Sequence, residues 1–482
     1  MGLARKMATV VGACGLMAGA AAGTAATAGA TAGAATTMAA RSSPGAAVVV
    51  RPDAIRLGTT PSAGPTTTRQ CEQKFHLACY TVPQVRDAYD LPGLYAEGIT
   101  GKGTTIAIVD SYGSPTIRHD LAVFDKAFHL PAPPSFSIIQ PAGKVAPYNK
   151  KNGGMVGWAG ETTLDVEYAH AIAPGASILL VETPVNETEG VQGFPQIVAA
   201  EKYVLKHYHV DVISQSFSAT EQGFDTEGAR SAVESLRGAI FAAETDRVTV
   251  LAAAGDSGAA NSNLAGNANY TYPTVNWEPS DPLVTGVGGT ELYLNAAGNR
   301  TQPDSVWNDT YIKAAQLFVC GAVGPCADAG GGGKSVFFGR PWYQNGVADV
   351  TGNARGVPDI SMSAACDGAV DLYASFPGAP AGWGQTCGTS EATPLFAGIV
   401  ALAAQYAGHS LGLINPALYE MSEARDPGII PVTTGNNTVT FKQNKHWYTV
   451  HGYRAQAVYS LAAGVGTIDA YYFVPELAAL AG

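Results

Sequence analysis

The sequence predicts an α/β domain built on a doubly wound, mainly parallel sheet with helices on both faces. Two observations predict it. Short β-branched apolar runs alternate with longer segments of helical period along most of the chain, the pattern of strand–helix–strand crossovers. The composition also supplies a large core: 46% of the 482 residues are hydrophobic and only 14% are charged. With 57 glycines the chain reads as a compact, loop-rich globule.

Residues 1–32 read as a secretory signal. Arg5 and Lys6 form a basic start, Met7 to Gly23 is apolar and small, and Ala-x-Ala sites follow at Ala26-Thr27-Ala28 and Ala30-Thr31-Ala32. The run is too short and too rich in Ala and Gly for a dependable membrane span, so a secreted protein is expected, with no membrane association once the signal is removed. Residues 33–79 read as a short leader or linker, rich in Ala, Thr, Gly, Ser and Pro up to about residue 68. The domain proper is expected over 80–482.

Within it, Thr104 to Val109 is a buried strand by its β-branched run. Further strands are expected at Ser177 to Glu182, Val210 to Ser214, Arg247 to Ala253 and Leu283 to Val287. Helices are expected at Glu161 to Ala173, Phe194 to His207 and Thr226 to Glu244. In such sheets ligands gather at the carboxyl ends of the strands.

Charge and cysteines narrow the function. A net charge of −11 argues against nucleic acid, which needs clustered Lys and Arg. Removing the signal takes Cys14 and leaves Cys71, Cys79, Cys320, Cys326, Cys366 and Cys387. An even number in an exported chain points to disulfides, and sequence proximity favours Cys71–Cys79, Cys320–Cys326 and Cys366–Cys387. The spacings do not suit zinc.

Three segments carry chemistry. In Gly388-Thr389-Ser390-Glu391-Ala392-Thr393-Pro394 a serine sits at a glycine turn leading into an apolar helix. There the helix N-terminus stabilises negative charge. The segment by itself fits a helix cap equally well. A nucleophilic serine needs a base. His170 lies on an apolar stretch and reads as a core histidine. Glu161 and Asp165 are instead one helical turn apart on a largely apolar helix, so their carboxylates share a face. Two half-buried acids imply a shared proton and a raised pKa. In Ala253-Ala254-Gly255-Asp256-Ser257-Gly258 an apolar strand ends on Asp256, which reads either as a turn aspartate or as a protonated oxyanion donor. Gly330 to Ser335 ends like a phosphate loop but has Asp328 where the first glycine belongs.

The strings G-W-A-G-E-T-T-L-D-V-E-Y-A-H-A-I-A-P-G-A, A-A-A-G-D-S-G-A and G-T-S-E-A-T-P, in that order, resemble the sedolisin (serine-carboxyl peptidase) family. T-T-I-A-I-V-D-S-Y-G, T-G-V-G-G-T, V-P-D-I-S and N-P-A-L-Y agree, so the resemblance covers about Tyr80 to Asp469. It implies a subtilisin-like fold and a monomeric endopeptidase that cuts protein or peptide substrates through an acyl-enzyme at acidic pH. Its implied roles are Ser390 nucleophile, Glu161 general base, Asp165 the partner of that base, and Asp256 oxyanion donor beside the Ser390 N–H. Asp110 would occupy a supporting position at the end of the first strand, and Val212 to Ser218 would line the substrate cleft.

Two departures from the family pattern stand out. The leader is too short for the separate α/β prodomain that relatives carry. At the family's calcium site, Pro431 and Ser460 stand where acids are expected. No cofactor is therefore expected, since a hard cation wants anionic oxygens.

Overall fold

A computed structural model of the chain describes residues 55–59, 64–224, 229–319 and 324–481. Its principal strands begin with β1 (Ile55–Thr59), β2 (Cys79–Tyr80), β3 (Thr105–Ser111), β4 (Phe136–Ile139), β5 (Ser177–Thr183) and β6 (Val212–Gln215). They continue with β7 (Thr249–Ala253), β8 (Thr285–Glu291), β9 (Ser305–Val306), β10 (Ile360–Ser363), β11 (Ala369–Ala374) and β12 (Gly382–Cys387). The helices that matter for the site are α1 (Thr68–Phe75), α2 (Gly153–Ile172), α3 (Phe194–His207), α4 (Ala229–Leu236), α5 (Gly238–Thr245), α6 (Thr389–Ala407) and α7 (Ala470–Leu480).

The central sheet runs β9-β8-β7-β6-β3-β5-β4, with β10 also paired to β8. All of these pairs are parallel except β8 with β9. Side chains alternate across it with period two. Ile106, Ile108, Leu180, Val212 and Leu251 face a core shared with Leu164 and Tyr168 of α2 and Leu395 and Ile399 of α6. Ala107, Val109, Val181, Ile213 and Val250 face the opposite core, with Phe194 and Ile197 of α3 and Ile240 of α5. Burial on both faces explains why these strands read as continuous apolar runs. The expected doubly wound α/β architecture is what the chain adopts.

The order places β5 on one side of β3 and β6 on the other, so the winding reverses beside β3. A crevice therefore opens at the carboxyl ends of β3, β5, β6 and β7.

Several expectations are corrected. The helix expected over Thr226 to Glu244 is two helices, α4 and α5. The break falls at Arg237, which donates to both carboxylate oxygens of Asp281, just before Gly238, a poor helix former. The helix expected from Glu161 starts earlier, at Gly153, because Asn152 caps it by accepting from Gly154 and Met155 N–H. The half-buried edge strand β4 was too short and too mixed in polarity to stand out.

The boundary at residue 80 also moves. Thr67 caps α1, and Cys71, Phe75 and Leu77 pack against Cys366 and Cys387 in one apolar cluster. The Cys71–Cys79 disulfide closes this segment, β2 pairs with β11, and β1 pairs antiparallel with β12. Much of the expected leader is thus part of the fold, held by contacts that composition does not reveal. The Cys366–Cys387 disulfide is present as expected. Cys326 is disulfide-bonded too, but its expected partner Cys320 lies outside the described residues, as do residues 1–32. No described helix is long and apolar enough to cross a membrane.

Candidate active site

Four elements meet at the crevice. Asp110 ends the apolar part of β3, wholly buried and opposite Glu182 of β5. Ser216 follows β6, whose register sets Ser214 against Ile108. Asp256 lies three residues past β7 and is half-buried. Ser390 opens α6, one residue after Thr389 and the cap residue Gly388, whose φ of 120° suits glycine.

Glu161 and Asp165 are wholly buried on α2. The structure brings Asp165 to Ser390 through one residue. Ser216 Oγ donates to Asp165 Oδ1 at 2.7 Å, while Ser390 Oγ donates to the Ser216 carbonyl at 3.3 Å. Farther along, a Cβ on Gly398 of α6 would lie 2.5 Å from Ile172 Cβ and 3.3 Å from the Ala169 carbonyl of α2. The two helices therefore run side by side in the same direction, with Ser390 level with the Glu161–Asp165 turn at 1.5 Å per residue.

The electrostatics follow from burial. Asp165 is held well above the ordinary carboxylate range, first by burial and then by the charges of Asp110 and Glu161, against the Ser216 hydrogen bond. Burial pushes Asp110 up to about 7, against hydrogen bonds with Thr162 and Asp165. Burial and their mutual charge thus both act against ionising Asp110 and Asp165 together. Burial also raises Glu391 well above its usual range, with Asp256 adding to the effect.

Asp256 is tied to the same helix. Its Oδ1 accepts the Thr389 N–H and the Thr389 hydroxyl, both at 2.7 Å, and the Gly255 N–H donates to Thr389 Oγ1 at 3.0 Å. Ser390 itself exposes no surface, so of these residues Asp256 is the one that reaches the exterior. Nearby, a cavity of about 160 Å³ at the carboxyl ends of β3 and β5 is lined by Tyr112, Ser114, Tyr148, Met155 and Glu182.

Ser216 thus joins Asp165 to Ser390, Thr389 ties Asp256 to the same helix start, and Asp110 and Glu161 act on Asp165 through their charges. The reading of the sequence missed Ser216 and Thr389. The first lies inside the Val212 to Ser218 segment, and the second inside the Gly388 to Pro394 turn, where a cap and a nucleophile fit equally well. His170 is a core residue, 2.8 Å from the Pro131 carbonyl and 3.3 Å from Asp125. The glycine run at Gly330 packs backbone against backbone: a Cβ on Gly331 would lie 2.1 Å from the Ala254 carbonyl oxygen. That contact accounts for the run without a phosphate.

The C-terminal calcium position fails the donor test. Ser460 Oγ accepts the Ala463 N–H at 3.0 Å, and Ser460 and Gly464 exchange two backbone bonds. Asp469 caps α7 through Tyr471 N–H. With Pro431 and Ser460 supplying no carboxylate, these residues do not fit a hard cation.

Residues 140–422 match the model of the Subtilase family (Peptidase_S8). The chain is 30% identical over 368 residues to kumamolisin from Bacillus sp. (strain MN-32), covering 75% of this chain and 58% of that protein. It is 28% identical over 392 residues to sedolisin from Pseudomonas sp. (strain 101), covering 80% and 59%. Human tripeptidyl-peptidase 1 is 28% identical over 295 residues, covering 57% of this chain and 44% of the human protein. The chain thus spans under three-fifths of the length of these relatives. The solved structure of Pseudomonas sedolisin, a serine-carboxyl proteinase complexed with two molecules of pseudo-iodotyrostatin, superposes with a TM-score of 0.67 at 24% identity. That match covers 84% of this chain and all of that one, and it shows the fold. The chain belongs to the subtilase family, in its sedolisin (serine-carboxyl peptidase) branch.

Proposed function

We propose that this chain is a secreted serine endopeptidase acting at acidic pH on protein or peptide substrates as a monomer, without nucleic acid or cofactor. Ser390 attacks the peptide carbonyl, Glu161 takes its proton and returns it to the leaving amine, and water resolves the acyl-enzyme. Asp165 supports Glu161, and a protonated Asp256 with the Ser390 N–H stabilises the oxyanion. One observation carries this reading: a buried acid of the Glu161–Asp165 turn is joined through Ser216 to a serine at a helix N-terminus, at the carboxyl end of a parallel sheet.

The test is hydrolysis of acid-denatured casein at about pH 4 by the purified protein and by Ser390→Ala. Cleavage by the first and none by the second is expected. Because relatives include tripeptidyl peptidases, the same peptide is offered with a free and with a blocked N-terminus. An endopeptidase cuts both, whereas release of tripeptides from the free form alone would replace the endopeptidase assignment.

The complete burial of Ser390 favours a second reading, a catalytically inactive binding or scaffold protein on the same fold. Casein left intact across the acid range, together with retained peptide binding, would favour it.

A further inference from the structure

We propose that Ser216 is the positioning residue of this site, fixing the Asp165 carboxylate with its hydroxyl and the Ser390 hydroxyl with its carbonyl. The proposal rests on the peptidase reading above and adds a residue to it.

Ser216 is placed by the sheet. Ser214 pairs with Ile108 and Gln215 with Ala252. Two residues on, Ser216 stands level with Asp110 at the floor of the crevice, fully buried. It touches both helices of the site, α2 through Asp165 and α6 through Ser390.

The two contacts differ in a way that matches what each partner must do. A serine hydroxyl has a single proton to give. Ser216 Oγ lies 2.7 Å from Asp165 Oδ1 and 3.4 Å from the Ser390 carbonyl oxygen, so the proton is committed to the carboxylate. That short bond holds a group that has to stay in place through every turnover. The Ser390 hydroxyl is held by a longer, neutral bond of 3.3 Å. It is the group that has to turn away, toward its base, when a substrate arrives. The strong tie is on the support and the weak tie is on the nucleophile.

The experiment compares wild type, Ser216→Ala and Ser216→Thr on one internally quenched peptide chosen from casein cleavage products, with Ser390→Ala as the blank. Thermal melts at the assay pH confirm folding. Alanine is expected to lower kcat about 10- to 100-fold with KM within about twofold, the cost of leaving a buried carboxyl oxygen without its hydrogen bond. Threonine keeps the hydroxyl and is expected to restore most of kcat. Unchanged kcat in folded Ser216→Ala overturns the proposal, as does a loss confined to KM or an equal loss with threonine. If the alanine variant does not fold, Ser216→Cys, close in shape but a weaker donor, carries the same comparison. A wild type with no Ser390-dependent hydrolysis overturns the peptidase reading itself, and this proposal with it.

Discussion

Thr389 clamps Asp256 with two hydrogen bonds to a single oxygen, Oδ1, one from its N–H and one from its hydroxyl, each 2.7 Å long. Oδ1 is therefore fixed as an acceptor, so in the proposed mechanism a proton for oxyanion donation would sit on Oδ2. The residue next to Ser390 thus aims the Asp256 carboxyl.

Substitutions at Asp256 follow from that clamp. Asp256→Ala removes the donor and is expected to lower kcat about 100- to 1000-fold. Asp256→Asn can still accept with its oxygen and donate with its amide at any pH. Its residual activity is expected to persist toward neutrality where wild-type activity falls. A pH–rate profile of both proteins checks this, and identical upper limbs would contradict it.

Glu161→Gln separates chemistry from stability. The variant is expected to lose about 100- to 10,000-fold in kcat on casein-derived peptides, the range for a general base. Glu161 is one of the charges that disfavour ionised Asp165. Its neutral replacement is therefore expected to melt at the same or a higher temperature at pH 7. Full activity in Glu161→Gln would remove it as the base.

Stability is expected to peak in acid. Burial pushes Asp110, Glu221 and Asp309 up to about 7, and Glu201 and Asp371 up to about 8. Between the ordinary carboxylate range near pH 4 and these values, the folded chain keeps protons that the unfolded chain has released. The stabilisation is complete below about pH 4 and is lost as pH rises through 7 to 8. Calorimetry from pH 4 to 8 should show the melting temperature falling by several degrees. A profile that rises toward neutrality would contradict this.

The Cys366–Cys387 bridge ends three residues before Ser390. Replacing both cysteines by serine is expected to cost about 2–5 kcal/mol of stability and to lower kcat as well, because β12 delivers the chain to the nucleophile turn. Replacing Cys71 and Cys79 should affect stability with little change in kcat. Denaturant melts alongside kinetics distinguish the two pairs.

A chelator should leave the melting curve unchanged, since Pro431 and Ser460 offer no carboxylate and Ser460 is engaged with Ala463 and Gly464. A large chelator-sensitive drop in calorimetry would show a cation held elsewhere.

What the sequence made legible was what local pattern encodes. The β-branched run at Ile106 to Val109 and the apolar helix around Glu161 announced a sheet and its cover. The Gly388 to Pro394 turn announced a serine at a helix start. Relations across the chain stayed hidden. Ser216 meets a carboxylate 51 positions away and Thr389 meets one 133 away, and neither side chain looks unusual among its neighbours. Residues 55–59 and 64–79 look like linker by composition, yet strand pairing and a disulfide hold them. The break at Arg237 coincides with its ion pair to Asp281, a partner 44 positions away.

The contact between Gly398 and Ala169–Ile172 sets a constraint on chain length. Each residue of an α-helix turns the next by about 100° and advances it about 1.5 Å. One residue inserted between Ser390 and Gly398, or between Glu161 and Ile172, would swing a reactive group off the shared face while leaving the packed end in place. Those two spans act as a matched pair of gauges and tolerate changes of residue but not of number.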